Sequence, residues 1–320
     1  MRRLVALMTL LALGASSAYA DDHNAPSPRA VLVTGASSGL GHRIATTLAD
    51  EGFYVYAGAR KARDIDALSA HPNMEGIRLD VTRQDEIDAA VATIRARGRG
   101  LYGLVNNAGV FLFDPLIEVS EDDMQFIMDV NVMGPYRVTK AFAPLIIESE
   151  GRITTTGSVA GLFSATLFGP YGMSKHAMEA YTDALAGEMA KFDVEVSIVE
   201  PGNFRSNIMK NMHRRLEQLD RGERTSAFRE EIARFASFAQ QDRSHHADPQ
   251  PVADAVLHFL TAQDPKMRYL VVPNEREATL AISRSLAKVL ELNGDHRFAK
   301  SRDELVAILD DLLDAKAVSR

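Results

Sequence analysis

Three side chains able to hold or pass a proton fall in one stretch of eighteen residues, SVAGLFSATLFGPYGMSK. They are the hydroxyl of Ser158, the phenol of Tyr171 and the ammonium of Lys175. The helix-favouring run KHAMEAYTDALAGEMAKF follows from Met173 onward, so Tyr171 and Lys175, four apart, belong on one face of one helix. A free phenol titrates near about pH 10, too high for acid–base work at neutrality, and an adjacent ammonium lowers that value by favouring the phenolate. Such a pair could exchange a proton with an alcohol or a carbonyl. A tyrosine and a lysine four apart also describe an ordinary pair on a helix surface, so the context decides.

The elements that must position these groups begin at Ala30. AVLVTGASSGLGHRIATTLADEG reads as an apolar strand, a glycine-rich turn and an amphipathic helix. Gly35, Gly39 and Gly41, with Ser37 and Leu40 between them, let backbone N–H groups and the helix start approach a pyrophosphate. A second strand, Phe53 to Gly58, ends in Gly58-Ala59-Arg60-Lys61. An acidic residue there would favour NAD through the ribose hydroxyls, whereas the Arg60 guanidinium suits a 2′-phosphate and predicts NADP(H). The third strand, GIRLDVT, places Asp80 and Val81 beside an adenine edge, and a polar helix follows over roughly Gln84 to Arg97. LYGLVNNAGV then brings Asn106, whose amide with that of Asn107 can tie strand ends together, and small Ala108 and Gly109, which let a cofactor pass close.

Ser120-Glu-Asp-Asp123 caps a long helix predicted to run toward Glu148. Pro135 lies four residues after Asn131 and has no N–H, so the Asn131 carbonyl loses its helical partner and could hold a water, or the helix simply kinks there. GRITTTG is the strand that delivers Ser158, and VEVSIVEPGNFRSN carries Pro201 and Gly202 at its carboxyl end, with Ser206 within reach of a nicotinamide carboxamide. Strands alternating with helices in this way predict an α/β doubly wound parallel sheet, with ligands outside the carboxyl ends of its strands.

TGASSGLG, NNAG, VN, Ser158, YGMSK and EPG follow one another in the order and spacing of the short-chain dehydrogenase/reductase family, which the chain resembles from about Ala30 to Val272. RGLYGLVNNAG, EPGNFRSN and PKMRYLV are similar to its retinol and hydroxysteroid dehydrogenase branch. The resemblance implies a Rossmann fold and a catalytic tetrad of Asn131, Ser158, Tyr171 and Lys175. In that tetrad Tyr171 is acid or base, Ser158 orients the substrate oxygen, Lys175 binds nicotinamide ribose and lowers the Tyr171 pKa, and Asn131 holds a water. It also implies a small-molecule alcohol or ketone substrate and a homodimer or homotetramer. Gly157 and Thr155 replace a common serine and asparagine of the family, and neither change removes a proton-transfer group. Ser38 stands where phosphate-selecting relatives often carry a second basic residue, which keeps NAD(H) open as the nucleotide.

Composition narrows the alternatives. The 320 residues are 46% apolar and 25% charged, an ordinary globular balance, with a formal net charge of −7 that argues against a nucleic-acid partner. Without cysteine there is no thiol catalysis, disulfide or Cys-ligated zinc. His245 and His246, near Asp242 and Asp248, read as a solvated loop, and no metal is assigned.

MRRLVALMTLLALGASSAYA has a basic start, a short apolar run and Ala18-Tyr19-Ala20, the pattern of a secretory signal peptide over residues 1–20. Residues 21–29 then form a linker, 30–275 the dinucleotide-binding domain and 276–320 a C-terminal helical extension. Cleavage leaves no integral membrane span and an exported, periplasmic protein. Export favours a rival function, a dinucleotide-binding scaffold or sensor without turnover, because soluble NADPH is not expected outside the cytoplasm. Ile208, Met212, Leu216 and Leu219, then Phe228, Ile232, Phe235 and Phe238, repeat at helical spacing. They fit an apolar lid over a greasy substrate, ordinary core packing, or attachment to a membrane surface. Near the end Ser301 and Glu304 form a capping box, and Leu305, Ile308, Leu309 and Leu312 a stripe suited to the protein body or a second subunit.

Overall fold

The computed structural model describes residues 28–212, 225–240 and 246–318. The expected signal peptide, most of the 21–29 linker, and Leu216, Leu219, Asp242 and His245 lie outside the described residues, as does the side chain of Phe238.

Seven parallel strands form one sheet in the order β3-β2-β1-β4-β5-β6-β7. They are β1 (Ala30–Val33), β2 (Tyr54–Ala59), β3 (Met74–Arg78), β4 (Gly103–Asn106), β5 (Arg152–Thr156), β6 (Glu195–Pro201) and β7 (Arg268–Val271). β1 and β4 are buried along their whole length, as expected where helices cover both faces of a parallel sheet. One face packs Val31, Val33 and Val55 on α1 (Gly39–Asp50) and α8 (Gln250–Thr261). The other packs Leu32, Leu104 and Ile153 on α3 (Gln84–Arg97), α5 (Gly134–Glu148) and α6 (Gly169–Met189). Further helices among the described residues include α2 (Ala62–Leu68), α4 (Glu121–Met128), α7 (Arg229–Gln240), α9 (Glu275–Leu292) and α10 (Arg302–Val318). The doubly wound sheet is thus the one expected, and β1 pairs with β2 on one side and β4 on the other, the reversal of strand order that opens a ligand crevice.

Three local departures bear on the site. The helix expected from Ser120 to Glu148 is broken into α4 and α5 by a π-helical turn, Asp129–Met133, with Asn131 at its centre. The missing N–H of Pro135 removes one rung of the regular ladder, and the wider turn absorbs the defect. α6 begins at Gly169, four residues before Met173, because Pro170 is tolerated in a first turn. β3 ends at Arg78, so Asp80 stands beyond it in a turn where its Oδ1 accepts from the N–H and the hydroxyl of Thr82.

The C-terminal helices separate two further expectations. Ser301 and Glu304 make the capping box, with Ser301 N–H donating to Glu304 Oε2 at 2.8 Å and Glu304 N–H to Ser301 Oγ at 3.3 Å. Of the stripe on α10, Leu305 is half-buried, whereas Ile308, Leu309 and Leu312 are exposed.

At the carboxyl ends of β1 and β4 the chain is sewn together by Thr34. Its Oγ1 accepts from the N–H groups of Asn107 (2.9 Å) and Ala108 (3.0 Å), while Asn107 Nδ2 donates to the Thr34 carbonyl at 2.9 Å. Thr34→Val, of the same shape, leaves those two N–H groups without their acceptor and is expected to cost about 1–3 kcal/mol. The change appears as a lower urea midpoint; an unaltered midpoint would mean that these bonds contribute nothing.

Candidate active site

The glycine turn is shaped by what approaches it. Gly35 has φ +67°, and a Cβ there would lie 2.8 Å from Ala108 Cα; a Cβ on Gly41 would collide with Asn107 Nδ2 and the Gly35 carbonyl. Ser38 precedes α1 in extended conformation and makes no side-chain capping bond, so the first N–H groups of α1 keep their donors for another acceptor. Gly39, at φ +59°, faces Ser206 across the crevice: a Cβ on Gly39 would be 3.5 Å from Ser206 Cβ. Residues 167 positions apart in the chain therefore meet at the start of α1. Ser37 is exposed on the turn and Leu40 half-buried.

Opposite, on the carboxyl side of β4 and β5, Ser158, Tyr171, Lys175 and Asn131 are all buried. Lys175 Nζ donates to the Thr156 carbonyl at 2.7 Å and lies 5.8 Å from the Tyr171 ring centroid. Ser158 Oγ accepts from the Ala160 N–H at 3.1 Å and lies near the Tyr171 phenol. The Asn131 side chain clamps Val110, accepting its N–H at 2.8 Å and donating to its carbonyl at 2.9 Å. A third bond, at 3.0 Å, runs to Ser174 Oγ, which in turn donates to the Tyr171 carbonyl. Gly109 sits among them, since a Cβ there would be 3.5 Å from Asn131 Oδ1 and 4.0 Å from Lys175 Nζ. These are ordinary van der Waals separations, so Gly109 lies against both groups.

The electrostatics depart from the simple expectation. Burial lowers Lys175 to about 8, because an ammonium loses hydration that one carbonyl replaces only in part. Burial raises Tyr171 above the usual phenol value, with the Ser158 hydroxyl working against it. The downward pull expected from Lys175 is not seen in the protein alone, where the ammonium is committed to Thr156.

The remaining candidates lie along the crevice. Pro201 is buried and Gly202 half-buried at the end of β6, where a Cβ on Gly202 would strike Glu277 of α9. Arg60 is exposed just past β2 and pairs with Asp80 at 3.8 Å, which places two residues expected at the adenosine end side by side. Val81 is buried beneath Gly134. Asp248 is held by Arg43 at 3.0 Å and by Arg205 at 2.5 Å.

An aromatic cluster over Tyr171 was not anticipated. Phe111 lies 4.8 Å from the Tyr171 ring, and Phe113 stacks on Phe235 of α7 at 3.5 Å with an interplanar angle of 10°; Phe168 completes the group edge-on. Phe228, Ile232 and Met212 pack on the same cluster, so the apolar face expected there faces the site. The signal was present in Phe111-Leu112-Phe113 directly after NNAGV. Thr156 and Ser174 were also missed, because a backbone acceptor and a bridging hydroxyl leave no sequence pattern.

Comparison with known proteins agrees with this geometry. A family model described as short chain dehydrogenase matches residues 29–217. The mitochondrial D-beta-hydroxybutyrate dehydrogenase of Bos taurus is 35% identical over 274 residues, covering 78% of this chain and 79% of that protein. Retinol dehydrogenase 7 of Mus musculus is 32% identical over 251 residues, covering 75% and 79% respectively. The crystal structure of a short chain dehydrogenase/reductase from Burkholderia phymatum in complex with NAD superposes with a TM-score of 0.70 at 28% identity, covering 86% of this chain and 99% of that one.

The state of Lys175 is testable through stability. Its value in the folded protein lies below the unfolded 10.5, so between about pH 8 and 10.5 the unfolded chain binds more protons and stability rises with pH. Relative to Lys175→Met, the wild type should therefore gain about 3 kcal/mol from neutral pH to above that window. Urea denaturation of the two proteins across the range checks it; a constant difference would show that the ammonium is not desolvated.

Proposed function

The chain belongs to the short chain dehydrogenase family, and from that premise we propose that it is an NADP(H)-dependent oxidoreductase moving hydride between the nicotinamide and the carbon of an apolar secondary alcohol or ketone. The observation that carries this reading is the burial of Tyr171, Lys175 and Ser158 together at the carboxyl edge of the sheet, beside Gly109.

The crevice fits the nucleotide because Gly35 and Gly41 let the turn close against Ala108 and Asn107, while Ser38 leaves the first N–H groups of α1 uncapped by a side chain. Gly35, Ser37, Gly39, Leu40 and Gly41 would hold the pyrophosphate, Asn107, Ala108 and Gly109 the central ribose, and Pro201, Gly202 and Ser206 the nicotinamide end. Arg60 would take a 2′-phosphate, with Asp80 and Val81 at the adenine. When bound, the nucleotide supplies or accepts the hydride. The chain does the rest: Ser158 orients the substrate oxygen, Tyr171 gives it a proton on reduction or takes one on oxidation, and Lys175 holds the ribose. Asn131 keeps the π-helical turn in register and holds a water that links Lys175 to solvent.

The relatives named above act, by their names, on a short hydroxy acid and on retinol. The phenylalanines around Tyr171 favour the larger, apolar kind here. We also propose export, on the pattern of the first twenty residues, with the nucleotide loaded before transport, and a homodimer or homotetramer.

Two outcomes test this. Tyr171→Phe should reduce ketone turnover about 100-fold or more while NADPH still binds; full activity would remove Tyr171 from the mechanism. In a screen of steroids, retinoids, quinones and short ketones, Arg60→Ala should lower kcat/KM with NADPH about 10- to 100-fold and leave NADH nearly unchanged. Equal use of both nucleotides by the wild type would refute the NADP(H) assignment.

A further inference from the structure

Two carboxyl groups meet between α6 and β6, Glu200 buried and Glu179 half-buried, and no step above uses them. Glu200, next to last in β6, is 2% exposed. Glu179 stands on α6 one turn after Lys175. The two side chains are neighbours, and each has an Oε1 that is buried and has no hydrogen-bond partner among the described residues.

The charged surroundings do not neutralise the pair. Arg268, at the start of β7, donates to Glu179 Oε2 at 2.9 Å, but its other arm donates to Asp183 of α6 at 2.5 Å, so one positive charge is divided between two carboxylates. Beside the carboxyl half of β6, β5 presents Thr154, Thr155 and Thr156, while its one charged residue, Arg152, pairs with Glu195 at the far end. Glu277 of α9 is engaged farther on by the Asn203 N–H at 2.9 Å. Two carboxylates in contact away from water repel strongly, whereas one proton between them removes a charge and gives both orphaned oxygens a partner. In keeping with that, burial first and Glu179 second push Glu200 far above the ordinary carboxylate range, with Arg268 opposing weakly.

The pair also sits where the site's supports converge. A Cβ on Gly161 would be 3.5 Å from Glu179 Oε1 and 3.1 Å from the Lys175 carbonyl. The short turn Val159–Gly161, which Ser158 caps, thus rests on both. Glu200 directly precedes Pro201 and Gly202.

We infer that Glu179 and Glu200 share one proton at neutral pH, and that this clasp positions Lys175 against the Pro201–Gly202 turn. Its positioning half rests on the dinucleotide-binding reading above; the shared proton does not.

Glu200→Gln replaces the shared proton with an amide N–H that donates to Glu179. A carboxyl raised above its unfolded value stabilises fully at low pH and loses that contribution as pH climbs. From about pH 5 to about pH 9 the urea midpoint of the wild type should therefore fall progressively relative to Glu200→Gln. At neutral pH Glu200→Gln should keep KM for NADPH within about twofold, while Glu200→Ala raises it about five- to tenfold with kcat changed less. On the alkaline side the wild-type KM should rise while that of Glu200→Gln stays level. Parallel stability profiles would overturn the shared proton, and an unchanged KM in Glu200→Ala would overturn the positioning role. A protein with the stability difference that binds neither NADPH nor NADH would sink the dinucleotide reading, and the positioning role with it, while the shared proton stands.

Discussion

A lysine ammonium held away from water by a single carbonyl is the constraint to which the site is fitted. Lys175 is buried, and Thr156 at the end of β5 supplies the one acceptor its Nζ has among the described residues. Burial at that depth disfavours the charge. Gly109 lies within van der Waals reach of Asn131 and Lys175, and a Cβ on Gly161 would press on the Lys175 carbonyl at 3.1 Å. The π-helical turn at Asn131 fits the same demand: it delivers an amide that locks Val110, and through Ser174 the first turn of α6, in place. Sheet, helix break and glycines thus all converge on one cation.

The phenol beside it is set up asymmetrically. A tyrosine raised by burial stays protonated at neutral pH and is ready to give a proton to a developing alkoxide. Taking a proton from an alcohol needs the phenolate, which a further positive charge nearby would have to favour. The bond to the neutral Thr156 carbonyl leaves the charge on Lys175, 5.8 Å from the Tyr171 ring centroid, and burial sets the direction of the phenol in the protein alone. The phenylalanines packed over Tyr171 act in the same sense, because they keep out the water that would otherwise solvate a phenolate.

Much of this was legible beforehand, for reasons that differ by residue. The seven strands follow from short apolar runs separated by helical periodicity, and α3 falls on Gln84–Arg97 as read, since acidic residues open it and Gly98 in left-handed conformation closes it. Gly35 and Gly41 announced a close approach, and Ala108 and Asn107 turn out to be what approaches. What escaped notice depends on partners distant in sequence. The Ser206–Gly39 contact, the sharing of Asp248 between Arg43 and Arg205, and the meeting of Glu179 with Glu200 join segments that no local pattern connects. The π-helical turn was visible only as a proline defect, because one missing N–H does not say whether a helix kinks or widens. The stripe on α10 was read correctly as apolar, but its exposure depends on what the body leaves uncovered.

The central claim is that Tyr171 is the group that exchanges a proton with the substrate oxygen, under the control of charge placed beside it. Ultraviolet difference titration of the wild type against Tyr171→Phe, with and without oxidised NADP, tests it most directly. The phenol should ionise above the usual tyrosine range in the protein alone and at a distinctly lower pH once the positively charged nicotinamide is bound. A Tyr171 titration unmoved by saturating nucleotide would contradict the account.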